Sequence, residues 1–265
     1  MPSSTEYWNQ IASSQAVRNA GWITPEELLA PLVELDVSSH TELIRVLSAL
    51  DKPLQIAAIR VFEILRLRTA GRALFDCWLS TDSNVSFAAG HALQKVRSHQ
   101  AYRELIKYIW SEPTPSNAEQ ACYILSWSRD DTLLEPLLAI YEGKRVPFEV
   151  RAQAAEGFAN LLAHVDRRTK PYHLVLPALL HGLNDPSPEV RFWTCFALGN
   201  MRAKQALPQL ERVAAEDDAV CPTWWLVKEE AEDAICHILN RPTPSRRRLS
   251  GCASGWEPPT ARLAF

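Results

Sequence analysis

Apolar and small residues recur along this chain at the spacing of one helix face, and the clearest copy lies in residues 185–200. Pro188 favours the first turn of a helix, because the N–H that proline lacks has no partner there. Ser187 is predicted to cap the free amides of that turn. The residues of the buried face then follow at intervals of four: Val190, Thr194 and Leu198. The stretch predicts a turn followed by a helix whose buried face carries small residues.

The same pattern occurs six times, which predicts a repeat protein. The anchor positions equivalent to Val190 are separated by 31, 32, 33, 40 and 37 residues: Leu54, Val85, Asn117, Val150, Val190 and Val227. Four residues after each anchor stands a small residue: Ala58, Ala89, Ala121, Ala154, Thr194 and Ala231. Eight residues after it stands a large apolar one: Phe62, Leu93, Leu125, Phe158, Leu198 and Ile235.

Each anchor helix is preceded by another amphipathic segment: Thr41–Leu50, Ala70–Leu79, Ala101–Trp110, Thr132–Tyr141, Pro171–Leu183 and Gln205–Ala215. Two helices per repeat predict an all-α solenoid of about six stacked hairpins over residues 41–240. Residues 1–40 are predicted to form an N-terminal helical cap of two helices. Residues 241–265 are rich in Arg, Pro, Ser and Gly, and are predicted to form a disordered basic tail.

The Asp-Pro turn followed by Val-Arg and an Ala/Leu face resembles a HEAT repeat, in particular the short bacterial type found in phycobilin (PBS) lyase subunits. The resemblance covers about residues 41–239 and implies a right-handed solenoid whose second helices line a concave surface. Three residues match the basic position of the family: Arg151, Arg191 and Lys228. The equivalent positions of the first three repeats depart from it: Gln55, Ser86 and Ala118.

Charge argues against nucleic-acid binding by the repeat region. Residues 111–240 carry 12 Lys and Arg against 19 Asp and Glu, a net charge of −7, whereas the tail carries 5 against 1. Nucleic-acid-binding domains usually present a basic face. No signal peptide opens the chain and no apolar run approaches the length of a membrane span, so we expect a soluble, cytoplasmic protein with no membrane contact.

The exposed face of the second helices is the predicted partner-binding surface. Positions 2, 6 and 10 after each anchor lie opposite the small-residue face and are rich in aromatic residues and Asn. Aromatic side chains supply contact area at low entropic cost, and Asn pairs with a partner's backbone. The residues predicted to bind a partner are Tyr123, Trp127, Asn160, Trp193, Phe196 and Asn200. The alternative is that the aromatic residues pack between adjacent repeats.

Three further groups have structural interpretations. Arg151, Arg191 and Lys228 are interpreted as a basic ladder that bridges to the adjacent turn, with anion binding as the alternative. Trp224 and Trp225 are adjacent, and are interpreted as a lid on the last repeat rather than a ligand platform. The group formed by residues 221, 236 and 237 (Cys, Cys and His) has irregular spacing and lacks a fourth ligand, so no metal site and no cofactor are predicted.

No nucleophile motif, phosphate loop or metalloprotease pair occurs in the sequence, so no catalytic residue is proposed. The favoured hypothesis is a non-catalytic scaffold that binds another protein along the concave face. The alternative, which rests on the resemblance alone, is a phycobilin-lyase-like subunit that acts on a bilin or a bilin-carrying protein.

Overall fold

The computed structural model describes residues 29, 33, 37–111, 114–162 and 170–246. Within those ranges the chain forms twelve α-helices and no β-strand. The first helices of six hairpins are α1 (Val37–Val46), α3 (Gly71–Trp78), α5 (His99–Trp110), α7 (Leu134–Glu142), α9 (Lys170–Gly182) and α11 (Leu207–Glu216). The second helices are α2 (Lys52–Ile64), α4 (Ser83–Val96), α6 (Pro115–Ser126), α8 (Phe148–Leu162), α10 (Pro188–Asn200) and α12 (Val227–Leu239). The predicted all-α fold is confirmed.

The chain divides into two compact units, residues 1–136 and 137–265. In the first unit, α4 packs between α2 and α6, and in the second unit α10 packs between α8 and α12. Four second helices also contact the first helix of their own hairpin: α4 contacts α3, α6 contacts α5, α10 contacts α9, and α12 contacts α11. Consecutive hairpins therefore bury their second helices against one another within each unit, as expected of stacked helical repeats.

The predicted small-residue face is the buried face. The residues four positions after the anchors are fully buried in all six repeats, and Ala197 is also fully buried. Two positions of the predicted register differ. Asn117 is exposed, and the adjacent Ala118 is buried in its place, whereas Ile235 in the last second helix is half-buried.

Aspartates start several second helices. The carboxylate of Asp51 accepts from the backbone N–H of Leu54, and that of Asp82 accepts from the N–H of Val85, at 3.0 and 3.1 Å. The prediction that Ser187 caps α10 is wrong, because its side chain makes no capping hydrogen bond. The carboxylate of Asp185 accepts from the N–H of Ser187 at 2.9 Å, which is a bond within the loop before α10 and leaves the free amides of the first turn uncapped by a side chain.

Glycines allow two close approaches in the second unit. A Cβ at Gly199 would lie 2.8 Å from the Cα of Ala234, so α10 and α12 meet almost backbone to backbone. A Cβ at Gly182 would lie 1.6 Å from the Tyr141 hydroxyl, which bonds to the Thr194 hydroxyl at 2.7 Å. The Tyr141 ring thereby fastens the first helix of one repeat, α7, to the second helix of the next, α10.

Four repeats end on an arginine in the left-handed backbone conformation, twelve residues after the anchor. These residues are Arg66, Arg97, Arg129 and Arg202, with φ between 49° and 55°. Glycine is the usual residue in this conformation because it has no Cβ to clash. The periodic arginine therefore marks the turn from one repeat to the next, and nothing in the pattern of apolar residues indicates it.

The predicted cap lies almost entirely outside the described residues, apart from Leu29, which is helical and buried, and Val33, which is helical. Helix α1 begins at Val37, four residues before the predicted start of the repeats. At the other end, residues 241–246 follow α12 without regular secondary structure, and Arg246 packs on α12. The rest of the predicted tail lies outside the described residues.

Candidate protein-binding surface

The predicted residues Trp193 and Phe196 lie in a larger aromatic cluster in the second unit. Their ring centroids are 5.4 Å apart, and Trp193 is 5.3 Å from Trp224, in both cases edge to face. Edge-to-face pairs at this separation are favourable because the positive ring edge meets the negative face. Five residues of α10 and of the loop before α12 take part, and we call them the aromatic cluster: Phe192, Trp193, Phe196, Trp224 and Trp225.

The members of the aromatic cluster differ in exposure. Phe192 is only 1% exposed and belongs to the core, whereas Trp193, Phe196 and Trp224 are half-buried and reach the surface. Trp225 is tied down by its indole N–H, which donates to the carboxylate of Glu230 at 3.0 Å. The cluster therefore has a fixed base and an accessible edge.

The two predicted asparagines stand at the C-terminal ends of their helices. The Asn200 amide donates to the backbone carbonyl of Phe196 at 2.9 Å, so one of its donors serves its own helix. The Asn160 amide nitrogen is buried and has no hydrogen-bond acceptor among the described residues. Both side chains are half-buried. Of the two, Asn160 is therefore the asparagine whose amide nitrogen makes no hydrogen bond among the described residues.

Tyr123 and Trp127 lie in the first unit, and their rings are 6.0 Å apart at the C-terminal end of α6. Tyr123 is 8% exposed and contributes mainly to the core, whereas Trp127 is half-buried. The Trp127 indole N–H is buried without an acceptor among the described residues. Within this unit the surface available at these two positions is mainly that of Trp127.

The predicted basic ladder makes ion pairs with aspartates in the loops between helices. Arg191 binds Asp217 through two bonds, of 2.6 and 3.0 Å, and also donates to the backbone carbonyl of Asp185 at 2.8 Å. Arg151 binds the carboxylate of Asp185, and both of its bonds go to that group. Each arginine therefore links the second helix of one repeat to the loop of the next. Lys228 instead pairs with Asp218 in its own hairpin.

A similar link in the first unit was missed by the sequence analysis. The ammonium of Lys52 lies 2.6 Å from the carboxylate of Asp82, which is the loop aspartate of the following repeat. Gln55 and Ser86, which stand where the family has its basic residue, donate instead to carbonyls of their own hairpins. The loop aspartate, Asp82, is visible in the sequence, but its basic partner Lys52 stands three residues before Gln55, where the repeat pattern places the basic residue.

A second missed group surrounds Glu63 in the first unit. This carboxylate is 5% exposed, and it pairs with Arg60, with His91 at 3.2 Å and with Lys95 at 2.8 Å. Burial raises the pKa of Glu63, but the hydrogen bonds from His91 and Lys95 outweigh it and hold the pKa at about 2. Arg60 and His91 occupy the predicted binding face, and in this unit they serve a buried ion cluster.

Two carboxyl groups of the second unit hold their protons more strongly than usual. Burial raises the pKa of Glu156 to about 7, although the Gln153 amide donates to it. Burial and the charge of Asp233 raise the pKa of Glu230 to about 8, although Trp225 and Arg246 oppose the shift. Glu156 and Phe196 hold the same position in the adjacent helices α8 and α10. Glu156 is therefore partly protonated at neutral pH, on the helix next to the one that carries Phe196.

Neither a group of metal ligands nor a membrane-spanning helix occurs in the described ranges. No three His, Cys, Asp or Glu side chains there form a group suited to a metal ion. Burial raises the pKa of Cys195 and of Cys221 above that of an ordinary thiol. None of the described helices combines the length and the apolar character needed to span a bilayer.

Comparison with known proteins agrees with the repeats seen in the second unit. The family described as HEAT repeats matches residues 134–236, from α7 to within α12. Residues 134–236 are therefore similar to HEAT repeats. Among solved structures, a crystal structure of an engineered protein from the Northeast Structural Genomics Consortium superposes with a TM-score of 0.45 and 20% sequence identity. That alignment covers 90% of this chain and 65% of the engineered one. No curated protein matches the chain.

Proposed function

We propose that this HEAT-repeat protein is a non-catalytic scaffold that binds another protein through the exposed edge of its second helices. The observation that carries the proposal is the half-buried edge formed by Trp193, Phe196 and Trp224. Large aromatic side chains that are held rigid by their neighbours are typical anchors of protein interfaces. Because the rings already pack on one another, binding would cost little side-chain entropy.

Polar groups around this edge suit a peptide backbone. The Asn160 amide is a donor without an acceptor in the described part of the second unit, and it stands at the same position of α8 as Asn200 does of α10. Rotation of the half-buried Asn160 side chain toward an extended partner would satisfy this donor, which costs about 1–3 kcal/mol while it stays buried and unpaired. Aromatic anchors on second helices that also carry asparagines favour a polypeptide ligand over a small metabolite or a polyanion.

The test uses the full chain with an affinity tag and two alanine variants. Trp193→Ala together with Phe196→Ala removes the proposed anchors. Trp110→Ala is the matched control, because Trp110 lies on the first helix α5 and is 48% exposed. Proteins that co-purify with the wild-type chain are identified by mass spectrometry, and the leading one is purified for titration calorimetry.

We expect the double variant to raise the dissociation constant at least tenfold, since truncating one anchor commonly costs about 2 kcal/mol or more of binding free energy. The control should change it less than twofold. Far-ultraviolet circular dichroism must show the same helix content in all three proteins. An unchanged dissociation constant for a folded double variant would refute the proposed surface.

The phycobilin-lyase alternative stays a prediction from resemblance, and no contact among the described residues favours it. Incubation of the purified protein with a bilin, followed by absorbance spectroscopy, tests it directly. Binding to nucleic acid is not proposed, because the net charge of −7 over residues 111–240 would repel phosphate.

A further inference from the structure

The last second helix already holds a side chain from elsewhere in the chain. The guanidinium of Arg246 lies against α12, and only 13% of this side chain is exposed. Residues 241–245, which lead to it, are all exposed and have no regular secondary structure. The contact is therefore made by one largely covered arginine at the end of an exposed segment, and packing of the segment itself does not explain it.

The site around this guanidinium uses all three of its nitrogen atoms. Nε lies 3.3 Å from each carboxylate oxygen of Asp233, and Nη2 donates to Glu232 at 2.6 Å. Nη2 also lies 3.1 Å from the Asp233 carboxylate and 3.1 Å from the backbone carbonyl of Glu229, while Nη1 reaches the Glu229 carboxylate at 3.4 Å. This fan of acceptors matches the planar fork of an arginine and is poorly matched by the single point charge of a lysine.

The site lies on the face that the repeats present for binding. Glu229 and Asp233 stand two and six residues after the anchor Val227, and Phe196 stands six residues after the anchor of α10. The two helices are held close by Gly199 against Ala234. The neighbouring carboxyl of Glu230 accepts from Trp225, a member of the aromatic cluster. The arginine site on α12 and the aromatic residues on α10 thus belong to adjacent second helices.

We propose that Glu229, Glu232 and Asp233 form a recognition site for an arginine in an extended peptide, and that Arg246 is its resident occupant. The proposal rests on the proposed function, because it names the chemistry of the partner: an extended basic segment that places an arginine on α12 and an apolar residue on the aromatic edge. A partner must displace Arg246. The tail, which has a net charge of +4 against −7 for residues 111–240, competes at the high local concentration of a tethered ligand.

The probe is a fluorescent peptide with the sequence of residues 241–250, Arg-Pro-Thr-Pro-Ser-Arg-Arg-Arg-Leu-Ser. Its binding is measured by anisotropy to the wild-type full chain and to the full chain with Arg246→Ala. We expect the variant to bind at least tenfold more tightly, because its site is vacant. Alanine in place of the peptide's first Arg of the Arg-Arg-Arg run should weaken binding at least tenfold, and a scrambled peptide of equal charge should bind as weakly.

Two further variants, made in the Arg246→Ala chain, locate the site. Glu232→Gln, at a carboxylate that is 48% exposed and so tolerant of change, should weaken peptide binding at least fivefold. Glu211→Gln on the exposed side of α11 removes the same charge and should leave binding within twofold. Equal affinity of wild type and Arg246→Ala, equal binding of the scrambled peptide, or equal effects of the two glutamine variants would each overturn the proposal. Because the peptide is titrated directly, such a failure leaves partner capture at Trp193 and Phe196 untouched, and the reverse also holds.

Discussion

The contact between Gly182 and Tyr141 makes a sharp prediction about coupling between repeats. Gly182→Ala places a methyl group where the Tyr141 hydroxyl stands, 1.6 Å from the oxygen and 2.8 Å from the ring carbon that bears it. The ring is 5% exposed and packs edge-on against Phe158, with centroids 5.7 Å apart, so it has little room to move. The substitution therefore displaces the hydroxyl and breaks its bond to Thr194.

The magnitude follows from three contributions. Overpacking a filled core costs about 1–3 kcal/mol. The lost hydrogen bond costs about 1 kcal/mol. Replacing a helical glycine by alanine returns up to about 1 kcal/mol. We expect Gly182→Ala to lower the free energy of unfolding by about 2 kcal/mol.

Tyr141→Phe alone should cost about 1 kcal/mol, because it removes one buried hydrogen bond while the Thr194 hydroxyl still donates to the carbonyl of Val190 at 2.6 Å. Phenylalanine also removes the oxygen that the new methyl group would meet. The double variant should therefore be more stable than the sum of the two losses predicts, by about 1 kcal/mol or more. Neighbouring residues that share a contact commonly show coupling of this size.

Urea unfolding followed by circular dichroism measures all four proteins of the cycle. A parallel cycle of Tyr141→Phe with Gly199→Ala is the control, because the close neighbours of Gly199 are atoms of Ala234. That cycle should be additive within about 0.5 kcal/mol. Additive losses for Gly182→Ala and Tyr141→Phe would show that the two residues do not meet as described.

Two further predictions concern charge. The side chains of the bidentate pair Arg191 and Asp217 are 17% and 14% exposed, so a double-mutant cycle of unfolding should show a coupling of about 1–2 kcal/mol between them. The exposed pair Arg72 and Asp76 is the control and should show less than about 0.5 kcal/mol. Equal coupling energies for the two pairs would contradict the structural role of the ladder. The pKa of Glu156 is raised from 4.5 to about 7, so between those pH values the folded protein keeps a proton that the unfolded chain has lost, and stability should fall as pH rises through this window. Glu156→Gln should remove a part of that fall on the order of 3 kcal/mol. A pH profile of urea midpoints that the substitution leaves unchanged would refute the assignment.

The repeat architecture was predictable because burial obeys a simple period. An alanine or threonine four residues after an anchor is small for one reason, the close neighbouring helix, and the pattern survives even where the anchor Asn117 is exposed. The left-handed arginines were not predictable in the same way. Arginine is not a residue that marks a turn, so Arg66 or Arg202 reads as an ordinary surface charge although its spacing is regular.

The candidate site was predictable only in part, because exposure on the second helices depends on partners far along the chain. Phe192 and Trp193 are adjacent in sequence, yet the first is buried and the second reaches the surface. The loop before α12 packs Trp224 against both of them, and this contact determines which ring is buried and which reaches the surface. Arg246 was assigned to a disordered tail by composition, which carries no information about the buried carboxylate of Asp233 that receives it.

The ion pairs of Arg151 and Arg191 all point in one direction, from each repeat to the loop of the next. Detaching the last hairpin would therefore strip Arg191 of its counter-ion and weaken the repeat that remains, whereas the detached hairpin keeps Lys228 paired with Asp218. Within the second unit each repeat therefore depends on the one that follows it, so stability would be lost from the C-terminal hairpin inward. A ligand bound to α12 would therefore act on the hairpin from which unfolding of the second unit starts.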